Sequence, residues 1–153
     1  MTDVTPRRRL VTGVKEALRL VRNQLSVFSR QVGTRLELKD ADLDCLDLID
    51  RAGPLSPSTL ARLTGLHPAT MTGILDRLER GGWIVRERAA SDRRGVQIRA
   101  LRDRNGELYG MLAGMNQAID EICADYSDAE LAVVADFLRR TTEAGSAAAK
   151  DLP

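Results

Sequence analysis

The sequence predicts a mainly α-helical chain interrupted by one small β-hairpin, and three observations carry that reading. Leu10, Val14, Leu18, Val21, Leu25, Phe28 and Val32 recur at steps of three and four, the period of one helix face, over a long stretch. Between residues 40 and 80, shorter helical patterns are separated by cap-and-proline signals and by glycines. Only around residues 83–101 does the texture change to the apolar–polar alternation of strands, and from Asp103 it is helical again.

The first helix opens near Pro6, a residue suited to a first helical turn, and Gly33 reads as its stop signal. About 27 residues at 1.5 Å each make a rod of roughly 40 Å. A lobe of about a hundred residues cannot cover so long a stripe, so a second subunit is the simplest cover. Asp40 is placed to cap the next helix, which runs to about Ala52 with Leu43, Cys45, Leu46, Leu48 and Ile49 facing inward; Gly53-Pro54 ends it. Ser56-Pro57 is a cap followed by a first-turn proline and opens a short helix through Leu63, broken by Gly65. His67-Pro68 repeats the arrangement and opens a third helix to about Arg80, ended by Gly81-Gly82.

Trp83 to Arg88 and Val96 to Leu101 are the expected strands, with Ala89 to Gly95 as a charged connecting tip. A helix from Asp103 to about Ala124 follows. Ser127 and Glu130 have capping-box spacing ahead of the stripe Leu131, Val134, Leu138. The Ala/Gly/Ser-rich end is expected to fray.

The formal net charge of +1 conceals an alternation. Residues 1–39 carry nine Lys/Arg against three Asp/Glu, and 77–104 carry nine against four. The intervening 40–76 carries two against six, and 105–153 three against nine. Such blocks can place a basic face on a nearly neutral molecule. Cys45 and Cys123 are isolated, with no metal-ligand spacing and no disulfide framework, which suits a reducing cytosol and makes Cys45 a small inert hydrophobe. No run approaches the ~18 apolar residues of a membrane span, so a cytoplasmic location with no membrane partner, metal or cofactor is expected. Catalytic constellations are missing too: there is a single His, and no phosphate-cradling glycine loop. Asp42, Asp44, Asp47 and Asp50 spread over several helix faces and are read as a solvated acidic surface.

The informative block is 57–102. Two helices that cross tightly need a small residue inside the first and a glycine at the turn, and Ala61 and Gly65 stand four apart in those places. Leu60, Leu66, Met71, Ile74 and Leu78 would lock the pair. The opposite face of the second helix carries Pro68, Ala69, Thr70, Thr72 and Gly73, small enough to let backbone approach base edges. Arg77 and Arg80 further along suit phosphate oxygens. A hairpin tipped by Asp92, Arg93 and Arg94 would then reach an adjacent minor groove. With Ser56 and Ser58 these residues form the candidate DNA-binding set. His67 is read as a helix-start residue without further task, and Trp83 as packing at the base of the hairpin, its alternative being to line a ligand cavity.

Leu60-Ala61, Gly65, Leu75-Asp76-Arg77-Leu78-Glu79-Arg80-Gly81-Gly82, Arg86 and Asp92-Arg93-Arg94 together resemble the MarR family of regulators, and the helix order extends the likeness over nearly the whole chain. The resemblance implies a winged helix-turn-helix lobe at 40–102 between dimerisation helices at 6–34 and 103–148. It places a recognition helix at 67–80 in the major groove and a wing at 83–101 in the minor groove. Arg94 would insert there, with Asp92 holding a neighbouring Arg. It also implies a homodimer through Leu10, Val14, Leu18, Val21, Leu131, Val134 and Leu138, a pseudo-palindromic double-stranded operator, repression by family habit, and a small aromatic or phenolic effector. Relatives commonly carry a long polar residue where Gly73 stands, which implies one DNA contact fewer. The alternative from another class is a winged-helix module that binds protein alone; salt-dependent retention on random DNA separates the two.

Overall fold

The structure is a computed structural model describing residues 6–89 and 92–153, with the backbone alone at 92–94. Among the described residues, six helices and one hairpin follow in the expected order: α1 Pro6–Leu36, α2 Asp40–Ala52, α3 Pro57–Thr64, α4 Pro68–Arg80, β1 Ile84–Ala89, β2 Asp92–Ala100, α5 Arg102–Cys123 and α6 Asp128–Lys150. The chain divides into two compact units, one through Tyr109 and the other Gly110–Pro153.

Several local expectations are corrected. Gly33 does not stop α1, which continues to Leu36 and ends where Glu37 takes a positive φ of 57°. The amide of Leu38 then donates back to the Gly33 carbonyl at 2.8 Å, a common helix-ending turn. The returning chain lies so close that a Cβ on Gly33 would sit 2.6 Å from the Leu38 carbonyl oxygen, which is why glycine stands there. Asp40 is the first residue of α2 rather than its cap. The side chain that closes this terminus is Asp42, accepting from the Lys39 amide at 3.1 Å. The connecting tip is shorter than the polar stretch from Ala89 to Gly95, because pairing extends to Ala89 opposite Asp92. The Ala-rich end remains helical to Lys150.

The caps at α3 and α4 are as expected. The Ser56 hydroxyl accepts from the Thr59 amide at 3.1 Å, and Gly65 turns the chain at φ 69°, a left-handed conformation that glycine adopts without steric penalty. The antiparallel hairpin pairs Ile84 with Ala100 and Arg86 with Ile98, and a bridge from Leu55 to Ile98 ties it to the segment before α3.

In the first unit, Cys45, Leu46 and Ile49 of α2, Leu60 and Ala61 of α3, and Met71, Ile74, Leu75 and Leu78 of α4 close over Trp83, Ile84 and Ile98. Val32 and Leu36 from the end of α1 join this core, whereas Leu10, Val14, Val21 and Leu25 are exposed, Leu10 by 71%. In the second unit no described hydrophobic side chain is buried, and Val133, Val134, Phe137 and Leu138 of α6 stand exposed. Helices of this length hold their form in water chiefly by burying an apolar face, and these faces are uncovered within one chain. No helix among the described residues is long and apolar enough to cross a membrane.

Candidate nucleic-acid interface

Helix α4 presents two contrasting faces. Met71, Ile74, Leu75 and Leu78 are buried, while Pro68, Ala69, Thr70 and Thr72 are exposed at its N-terminal end. Burial of four large apolar side chains, each contributing about 1.5–3 kcal/mol, holds the small-residue face outward as a rigid surface. The N-terminus is closed by His67, whose Nδ1 accepts from the Ala69 amide at 3.1 Å. This is the cap expected of the His67-Pro68 pair, made here through the imidazole. The Thr72 hydroxyl donates to the Pro68 carbonyl at 3.0 Å, and Arg80 is exposed near the other end.

Three side-chain connections fix this helix. On one side Arg86 of β1 donates to Asp76 at 2.8 Å and reaches Glu79 at 3.4 Å, tying the hairpin to α4. At its C-terminus Arg104 of α5 donates to the Gly81 carbonyl and lays its guanidinium 4.5 Å from the centre of the Trp83 ring. Beneath it, Arg77 makes a two-pronged pair with Asp42 of α2: Nη2 to Oδ1 at 2.7 Å and Nε to Oδ2 at 3.3 Å. Hydrogen bonding to Asp42 is the first cause raising the Arg77 pKa.

Asp42 is the residue of this region that the sequence reading misplaced. It is 1% exposed and so does not belong to a solvated acidic surface; Asp44, Asp47 and Asp50 are exposed. A signal was present: 42, 45, 46 and 49 follow the i, i+3, i+4, i+7 phase of the buried face, and a carboxylate on that phase requires a partner. Asp50 accepts from the Tyr109 hydroxyl, which joins α2 to α5 and raises the tyrosine pKa.

Of the sequence-predicted set, Ser58, Pro68, Ala69, Thr70, Thr72 and Arg80 are brought to one exposed region of α3 and α4. Ser56 is half-buried and its hydroxyl is engaged in capping α3. The guanidinium of Arg77, read as a phosphate ligand, has its first partner inside the protein. The side chains of Asp92, Arg93 and Arg94 lie outside the described residues. Trp83 is buried at the base of the hairpin and also edges a recess of about 340 Å³, with Leu36, Leu38, Arg80 and Arg104 among its other walls. Cys45 is buried; desolvation, then the charges of Asp44 and Asp42, push its thiol up to about 11.

Residues 38–96, spanning the beginning of α2 through most of β2, match the model of the MarR family. Over those residues the chain is similar to the MarR family. Among curated relatives, the uncharacterized HTH-type transcriptional regulator YcgE of Bacillus subtilis is 27% identical over 76% of each chain. The HTH-type transcriptional repressor YetL of the same species is 34% identical over 50% of this chain and 46% of its own. The fold agrees with a MarR family protein structure from Bacillus stearothermophilus, at TM-score 0.68 and 22% identity over 90% of this chain and 96% of the other.

Proposed function

We propose that this chain is a MarR-family regulator, a sequence-specific double-stranded DNA-binding transcription regulator acting as a homodimer and as a repressor. The observation that carries the reading is the two-faced α4. A helix anchored by four buried apolar residues and exposing Pro68, Ala69, Thr70 and Thr72 fits the major groove, where small side chains permit close approach to base edges. The hairpin that follows is locked to α4 by Arg86, so a wing at 83–101 would move with the recognition helix and address the minor groove through Arg94. The names of the relatives YcgE and YetL support transcriptional control, and that of YetL supports repression.

Exposed apolar stripes on α1 and α6 support the homodimer, with Leu10, Val14, Val21, Val134 and Leu138 as the residues a second subunit would cover. Two-fold symmetry then implies a pseudo-palindromic operator with half-sites about one helical turn apart. A small aromatic or phenolic acid as releasing effector would find room in the recess of about 340 Å³ beside Trp83, whose charged walls are Arg77, Arg80, Arg104 and the Glu37 carboxylate. Selection of duplexes from a random pool, followed by footprinting across a salt series, tests the reading. A protected palindrome is expected. A chain that enriches no duplex and shows no salt-dependent binding overturns it.

A further inference from the structure

The pair formed by Asp42 and Arg77 has a geometry that a structural tie does not require. Both oxygens of a carboxylate 1% exposed are taken up, Oδ1 by Nη2 of Arg77 and Oδ2 by its Nε and by the Lys39 amide. The arginine side chain nevertheless remains 37% exposed. Its third nitrogen, Nη1, makes no hydrogen bond among the described residues. It lies 3.6 Å from where a Cβ on Gly73 would stand. Thr70, Gly73, Arg77 and Arg80 follow the i, i+3, i+7, i+10 phase of a single α4 stripe. With glycine at 73, no side chain from that position covers Nη1. The guanidinium is thus gripped along one edge while the side chain stays part-exposed, on the stripe that carries the exposed Thr70 and at the wall of the recess it shares with Glu37, Arg80 and Arg104.

We infer that Asp42 is a positioning residue for DNA binding, holding Arg77 so that Nη1 meets one backbone phosphate at a fixed place beside the recognition helix. This rests on the DNA-binding reading above. An arginine held in advance loses little side-chain freedom when it meets its anion. A pair whose charges cancel adds little to long-range attraction, so its contribution appears where the duplex fits the protein and not on DNA at large. The uncovered Nη1 over Gly73 also gives a role to the missing long polar residue, since a longer side chain there would shield the contact.

Charge alone and positioning predict opposite signs for Asp42→Asn. Removing a negative charge raises net charge by one and, acting only electrostatically, tightens binding to every duplex. Positioning predicts at least a fivefold loss on the duplex that the wild-type chain selects from a random pool, with random duplex bound equally well or better. Arg77→Lys keeps the charge and loses the fork, so it should lower the selected-to-random ratio by a similar factor. The double variant should lose little more than either single one. Affinities are measured for the folded fraction, verified by circular dichroism and melting; if Asp42→Asn fails to fold, the Arg77→Lys ratio decides. An unchanged or raised ratio for the variants, or additive losses in the double variant, overturns the inference while leaving the DNA-binding reading intact. A wild-type chain that selects no duplex removes both.

Discussion

Arg77→Met is a quantitative probe of how α4 is held. Methionine keeps most of the apolar stem and deletes the guanidinium, leaving Asp42 buried with the Lys39 amide, 3.1 Å away, as its remaining hydrogen-bond donor. Removing one partner of a fully buried pair destabilises by about 3–5 kcal/mol, whereas deleting one member of an exposed pair changes about 0–1 kcal/mol. Here the arginine side is 37% exposed, so water can reach the vacated site and recover part of the loss. The expected destabilisation is therefore about 2–3 kcal/mol, a fall in Tm of roughly 6–9 °C for a chain of this size. Urea unfolding of both proteins at one protomer concentration measures it, since a dimer's apparent stability depends on concentration. Arg51→Met, which removes an exposed pair with Asp47, is the control and should cost below about 1 kcal/mol. Adding Asp42→Leu to Arg77→Met should restore much of the loss by removing the stranded carboxylate. If Arg77→Met costs no more than Arg51→Met, the pair does not anchor the helix.

Glycines in two helices should respond with opposite signs: Gly73→Ala should stabilise by about 0.5–1 kcal/mol because its Cβ meets only ordinary contact. Gly33→Ala should destabilise by roughly 1–3 kcal/mol because its Cβ meets the Leu38 carbonyl oxygen at 2.6 Å. In native protein Cys45 should resist thiol reagents that label Cys123. Because the folded Cys45 pKa of about 11 lies above the ordinary ~8.5, its contribution to stability is complete below pH ~8.5 and is lost as pH rises toward 11; a Cys45→Ala chain should lack that part of the alkaline decline. Arg94→Ala should cost roughly 1–3 kcal/mol more on the selected operator than on random duplex, and equal losses in a binding titration would remove the wing from specificity. Sedimentation should find a dimer at micromolar concentration, and Leu10→Glu with Val14→Glu should shift it toward monomer; a stable folded monomer of the unaltered chain would refute the covered stripe.

Order, type and approximate ends of the helices were legible in the sequence because the signals that set them are local. The cap-and-proline pairs Ser56-Pro57 and His67-Pro68, the left-handed turn at Gly65 and the period of Leu10 to Val32 act within a few residues of themselves. So did the apolar face of α4, whose burial follows from spacing alone. Tertiary structure decided what depends on residues far apart in sequence. That Asp42 is buried and takes Arg77 across 35 positions, that Arg104 stacks on Trp83, and that the chain turns at Glu37 rather than at Gly33 all depend on which surfaces meet. A periodic pattern states which face of a helix turns inward. It does not state what waits there, and for a charged group that partner determines whether it faces solvent, anchors a helix or is held ready for DNA.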